Sequence, residues 1–439
     1  MTKSQLEVQV EWDRPITMAA LAERLRQEGH GSEVLADVLR SREREIVDEL
    51  CGPRYHPRPD TPFVRAGTKK GRTLGTVLGK IRIPLVKLRD RLSGDTFYPL
   101  FTDVLVQPRR IYQDDVVALA EQAAMRMTYR NTSEELGKVI NGVPSAHTIN
   151  RRMIEDGEAL NKEIHERDLV AFTHQPDGTK VHGKDGKNKD VNVVLATAPG
   201  KKPRLRSLTV GKKWLEHRPA IERTRFETDG GEPVVPTVMS DFEKGLAELM
   251  IPPGGLILGD HVHVPRTLRF DLWSDGMKDG KERRKILKTA VGLLAHLRNS
   301  VKLHLPKGEK EAVEHRIKQT IKEMRRLATL LANDGWNTGA EFLRRVCIQV
   351  TTFATLALQG IVVPWHNNLV ERLMAEVSKR CKHKWMSWTS RGGQALLTLL
   401  VVRTVEPDTH EEFWKRKLYG PGRHPHDLGI KVTSRKGWA

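Results

Sequence analysis

Apolar and polar positions follow a helical period at both ends of the chain and a strand period in the middle. Residues 1 to about 50 are predicted helical. Met18, Leu21 and Leu25 recur at helical spacing in a segment that stops at Gly29, and a second helix follows with Ser32 as its cap. Residues 51–72 are rich in Pro, Gly and Arg and read as a basic linker. TVLGKIRIPLVKLRD then mixes β-branched and basic residues and predicts strands.

Between 112 and 160 the helical period returns, with Leu119, Ala123 and Met127 as one stripe. Thr132 and Glu135 have capping-box spacing, and Leu136, Val139 and Ile140 form an apolar face. Gly142 marks a turn, Ser145 can cap the next helix, and Ile149 and Met153 point inward. The pattern is helix-turn-helix, with His147, Asn150, Arg151 and Arg152 on the second helix where a DNA groove is read. An ordinary helical hairpin gives the same pattern.

From about 177 to 263, short strand-like runs are separated by Gly, Asp and Lys turns. PTVMSDFEKGLAELM follows as strand then helix, and GLILGD as a last strand. Three hairpin-linked strands followed by strand–helix–strand predict an α/β sheet of ribonuclease H-like type. Residues 281–360 turn to long amphipathic helices with basic outer faces, and a further capped helix follows Pro364. The tail from Pro421 reads as poorly ordered.

Composition narrows the function classes. The 439 residues carry 74 Lys and Arg against 55 Asp and Glu, a formal charge of +19. Such a surplus points to a polyanion, with nucleic acid as the leading partner. No apolar run is long enough for a membrane span, and the start MTKSQLEVQVEWDRP lacks the apolar core of a signal peptide. Cys51, Cys347 and Cys381 are odd in number and far apart, which supports neither a disulfide framework nor a Cys-based zinc site. A cytoplasmic, nucleoid-associated protein is the expectation.

Phosphoryl transfer on nucleic acid needs carboxylates that hold two hard cations about 3.5–4 Å apart. Asp177 is predicted to open a strand, where Asp-Gly also makes a simple turn. Asp241 ends an apolar run and opens a helix, the position where α/β sheets bind ligands; an N-cap is the other reading. Asp260 ends another strand, with His261 and His263 behind it, yet no further His or Cys cluster completes a zinc site. Glu376 sits in an ion-pair ladder with Arg372, Lys379 and Arg380. Glu371 has no Lys or Arg at i±3 or i±4, so it needs another counter-charge, which a metal would supply.

The segments PDGTKVHG, MSDFEKGL, LGDHVHVPR and NNLVERLMAEVSKRCKHKWMSWTSRGGQALL, in this order, resemble the DDE transposases of prokaryotic insertion sequences, in the branch close to the Mutator-like elements. The resemblance covers roughly residues 110–405. Asp177 and Asp241 are 64 residues apart, and Asp241 and Glu371 are 130 apart. It implies that Asp177, Asp241 and Glu371 bind two Mg²⁺ (or Mn²⁺) ions. It also implies that Asp260 and His263 are site-adjacent, with His263 able to orient a scissile phosphate; a structural histidine is the other reading of that position. The implied reaction is nicking at an element end, followed by in-line attack of the freed 3′-hydroxyl on target DNA. Lys379, Arg380, Lys382, Lys384 and Arg391, with Trp385 and Trp388, form an acid-free stretch that can meet phosphates and bases; packing is the other reading of the two tryptophans.

The expected organisation is an N-terminal helical region and linker (1–72), a small β segment (73–110) and a helix-turn-helix DNA-binding domain (111–165). A ribonuclease H-like core follows (166–275, then 363–410), interrupted by an all-α insertion (276–362), with a basic tail (411–439). Double-stranded DNA, as terminal inverted repeats and as target, is the expected partner of a dimer or higher oligomer. The alternatives are a catalytically silent DNA-binding protein and a nuclease without strand transfer.

Overall fold

The period-two runs between residues 173 and 259 form strands, and further strands lie at residues 63–90 and near both ends of the chain. The computed structural model describes residues 5–11, 16–27, 31–106, 110–228, 230–243, 245–382, 386–420 and 429–435. Contacts divide the chain into two units: residues 1–155 with 408–439, and residues 156–407.

In the first unit a hairpin of strands Phe63–Thr76 and Gly79–Asp90 packs with helices Met18–Gln27 and Ser32–Cys51. Leu21, Leu25, Leu35, Leu39, Leu74, Ile83 and Leu100 fill its core, and Tyr419 of the C-terminal helix Pro407–Tyr419 joins them. The predicted linker therefore contains the start of a strand, and the boundary at 72/73 falls inside it. The glycines that suggested a loop serve bulges: the register shifts around Gly67 and Gly71, both with positive φ. Residues 5–11, expected helical, form a strand paired antiparallel with Gly429–Arg435. The tail from Pro421, read as poorly ordered, contributes residues 429–435 to that pairing. The helix Ser32–Cys51 has Gly31 as its N-cap, not Ser32.

Helices Tyr129–Gly137 and Ala146–Glu166 flank the predicted turn. Thr128, not Thr132, caps the first, accepting from the Asn131 N–H at 3.1 Å. Thr132 lies buried inside the helix, while Val139 is 79% exposed, so the expected apolar face is rotated. Ser145 accepts from the Thr148 N–H at 3.3 Å as expected. In the preceding helix, Asp114–Ala124, the buried face is Val116, Val117, Ala120 and Ala124, with Leu119 outward.

The second unit is built on a five-stranded sheet: β1 Thr173–His182, β2 Asn188–Thr197, β3 Arg204–Val210, β4 Thr237–Ser240 and β5 Leu256–Gly259. Their spatial order is β3-β2-β1-β4-β5. The first three pair antiparallel, and β4 runs parallel to both β1 and β5. Between β5 and residue 358 the elements are helical: α1 His263–Ser274, α2 Gly280–His304, α3 Lys310–Asn333, α4 Asn337–Gln349 and α5 Thr352–Leu358. Leu268, Leu272, Leu294, Met324, Leu343 and Val346 form the common core of α1–α4, while Phe353 and Leu356 of α5 pack with Met239 of β4 and Leu258 of β5. Two later helices return to the sheet, α6 Asn368–Cys381 and α7 Ser390–Val405. The Gln394 side chain of α7 is stitched to β3, accepting from the Val210 N–H at 2.8 Å and donating to the Leu208 carbonyl at 2.5 Å.

A buried arginine closes the helix that leads into this sheet. Arg206 of β3 donates to the carbonyls of Ile164, His165 and Arg167, the orphan acceptors of the helix C-terminus. Glu406 holds Arg167 through both carboxylate oxygens, at 2.7 and 2.8 Å, and accepts from the Leu205 N–H. Among the described residues no helix is long and apolar enough to cross a membrane.

Candidate active site

Asp177 lies within β1 and not at its start, because the strand begins four residues earlier at Thr173. It pairs with Val193 of β2, and its Oδ1 accepts from the Gly178 N–H at 2.7 Å. Burial pushes its carboxyl up to about 6; Asp241 and Glu371 add to the rise, while the Gly178 bond and His263 oppose it. Asp177, Asp241, His263 and Glu371 are thus within electrostatic reach of one another.

Asp241 follows β4 directly. The next residue, Phe242, has φ +74°, the one positive value at a non-glycine among the described residues. The left-handed region costs such a residue roughly 1–2 kcal/mol. Burial of the Phe242 ring edge-on against Phe342, with centroids 5.3 Å apart, offsets that cost. Asp241 accepts from the Glu243 N–H at 3.1 Å, a local turn. It is therefore not the expected helix cap: the helix is only Leu246–Met250 and begins after Gly245.

Asp260 follows β5 and is fully buried. Its Oδ1 accepts from the Val262 N–H at 2.7 Å and its Oδ2 from the Asn367 N–H at 2.9 Å. Burial raises its carboxyl above the ordinary range. Asn367 is the N-cap residue of α6, and its side-chain amide donates to the Pro176 carbonyl at 3.4 Å, next to Asp177. Asp260 and Asn367 together tie the end of β5, the middle of β1 and the start of α6. Glu371, in the first turn of α6, is positioned by that tie, where the helix dipole favours an anion.

The counter-group that Glu371 lacks in sequence is His263, the first residue of α1. His263 Nε2 lies 2.8 Å from Glu371 Oε1 and 3.9 Å from Asp260 Oδ2. His261, by contrast, is fixed in the core. Its Nε2 meets the Val350 carbonyl at 2.7 Å, its Nδ1 accepts from Arg298 at 3.0 Å, and burial pushes its imidazole down to about 4. A neutral, doubly bonded His261 takes no part in a zinc site.

Among the described residues no three His, Cys, Asp or Glu side chains stand close enough together to hold a metal as they are. Asp241 and Asp260 follow the ends of β4 and β5, Asp177 lies in the middle of β1, and Glu371 on α6 is engaged by His263. Asn367 Oδ1 is buried with no partner, an acceptor that faces a cost of about 1–3 kcal/mol unless a ligand or water meets it.

The expected DNA-contacting residues divide. Lys382, His147 and Arg151 are exposed, and Asn150 is half-buried. Lys379 is exposed in its ion pair with Glu376 at 2.6 Å. Arg391 makes a bidentate pair with Glu158 at 2.5 and 2.9 Å. Three assignments are corrected. Arg152 is buried against Asp114, with Glu155 at 3.1 Å, and serves the helical core. Arg380 is buried with its guanidinium 5.1 Å from the Trp388 ring centroid. Trp388 is buried, donating its indole N–H to the Cys381 carbonyl at 3.3 Å, while its backbone bonds to His182, the last residue of β1, and to Lys184 just past it. Arg380 and Trp388 join α6 to the segment that follows it and to the end of β1. Lys384 and Trp385 lie outside the described residues.

Sequence reasoning gave Asn367 no role, although it begins the Asn-Asn-x-x-Glu-Arg segment. Its position four residues before Glu371, at the cap of a predicted helix, was the available signal. No protein-family model matches this chain, and no curated protein matches it.

Proposed function

We propose that the chain is a DNA-processing enzyme of the DDE transposase type, cleaving and joining strands by divalent-metal phosphoryl transfer. The observation that carries the reading is that Asp241, His263 and Glu371 all act electrostatically on the Asp177 carboxyl in the middle of β1, with Asp241 and Glu371 raising it. The strand order β3-β2-β1-β4-β5 supports a ribonuclease H-like core. The helices from Gly280 to Leu358 support an inserted all-α region.

The donor chemistry fits Mg²⁺ or Mn²⁺. Asp177, Asp241 and Glu371 are hard oxygen donors, clustered carboxylates repel without a cation, and Asn367 Oδ1 is an adjacent unmet acceptor. Bound there, the cations supply activation of the attacking oxygen and stabilisation of the leaving oxygen. The chain's own residues supply the geometry. Asp260 and Asn367 fix α6 against β1, and His263 holds the Glu371 carboxylate by a hydrogen bond until another partner draws it away. Exposed Lys382, His147 and Arg151, with the surplus of 19 positive charges, give the phosphate attraction that duplex DNA requires.

The test is incubation with Mg²⁺ and DNA carrying the sequences that flank the gene. Strand-transfer products support the transposase reading. Nicks alone support a nuclease, and a mobility shift without cleavage supports a catalytically silent binder.

A further inference from the structure

The helix that begins at His263 continues beyond it, on the same side, as an exposed stripe. Val264, Leu268 and Leu272 of α1 are buried in the helical core. On the opposite side Arg266, Arg269, Phe270 and Trp273 share one exposed stripe at helical spacing, with Phe270 64% and Trp273 61% exposed. The two rings form one aromatic surface, with centroids 6.2 Å apart and planes inclined by 38°. Asp271, the helix's one acid, falls on another side.

Two exposed aromatic residues in adjacent turns are costly to leave in water and mark an interaction surface. Arginines interleaved with them specify its chemistry: cations for phosphates and rings for unpaired bases. At 1.5 Å per helical residue, Phe270 and Trp273 lie about 10–15 Å along the axis from His263, within reach of nucleotides that flank a bond held at the carboxylates.

We infer that the Arg266, Arg269, Phe270 and Trp273 face of α1 binds unpaired nucleotides next to the scissile phosphate, stacking their bases on the two rings. The inference rests on the DNA-processing reading. It is tested by binding in the absence of divalent cations, so that a protein unable to cleave still reports. The probes are a short blunt duplex and the same duplex extended by a run of unpaired thymidines. Wild type should bind the extended duplex more tightly. The double variant Phe270→Ala/Trp273→Ala should lose that preference by about fivefold or more, keep its affinity for the blunt duplex, and melt at the wild-type temperature. Trp273→Phe should retain most of the preference.

A wild type without preference, or a double variant that binds both probes as wild type does, overturns the inference. So does a double variant that turns a wild-type dimer into a monomer in the absence of DNA, since the face would then be covered by a second copy. Cleavage of the blunt duplex in Mg²⁺ is scored separately. Loss of cleavage in wild type with stacking preserved sinks the enzymatic reading alone.

Discussion

His263 Nε2 and Glu371 Oε1 are 2.8 Å apart, although 108 residues separate them along the chain. The bond joins the start of α1 to the first turn of α6, and it engages a carboxylate that has no Lys or Arg at i±3 or i±4. Glu371→Gln should lower DNA cleavage by on the order of 10² to 10³ while DNA affinity is kept. Glu376→Gln, which removes only an exposed pair with Lys379, should leave cleavage near wild type. Steady-state cleavage and a mobility-shift titration check both.

Asp260 serves as a positioning residue. Asp260→Ala removes the acceptor of two backbone N–H groups, Val262 and Asn367. Bonds to a charged acceptor contribute about 1.5–3 kcal/mol each, so a loss of about 3 kcal/mol is expected in denaturant unfolding. Asp260→Asn keeps one acceptor oxygen and should lose less.

In the first unit Asp115 is fully buried, with its carboxyl raised to about 7, chiefly by burial. The folded value exceeds the unfolded one. Its contribution to stability is therefore complete below about pH 4, falls as pH rises toward 7, and is constant above that. Asp115→Asn, which cannot ionise, should remove this slope and be the more stable protein at pH 8. Urea unfolding at pH 5 and pH 8 measures the difference.

Glycine substitutions offer a paired test of close packing. A Cβ on Gly157 would sit 2.4 Å from the Ala395 carbonyl oxygen and 2.5 Å from its Cα, both backbone atoms that cannot swing aside. Gly157→Ala should destabilise by about 1–3 kcal/mol. A Cβ on Gly292, in the middle of α2, would meet nothing within 4 Å. Gly292→Ala should stabilise by roughly 0.5–1 kcal/mol. Thermal unfolding of the two variants reads opposite shifts.

The helices of the 280–358 region and the strands ending in Asp241 and Asp260 were legible because period and punctuation agree there. Elsewhere local signals misled. Gly67 and Gly71 read as loop because a bulge and a loop require the same φ. Leu6, Val8 and Val10 alternate as a strand, yet that strand forms only against residues 429–435, a pairing invisible to a local window. At the site, the residue types at Asp177, Asp241 and Glu371 were legible, but their partners were not. The His263–Glu371 bond and the Asp260–Asn367 tie depend on long-range packing. Arg152, Arg380 and Trp388 looked like DNA contacts because sequence gives a cation or an indole without its burial.

The most direct measurement is a crystal structure of the protein soaked in Mn²⁺, read by anomalous scattering. The account predicts a peak bounded by Asp177, Asp241 and Glu371, with Glu371 drawn away from His263. Mn²⁺ absent from those three carboxylates at saturating concentration, with the His263–Glu371 bond intact, would contradict it.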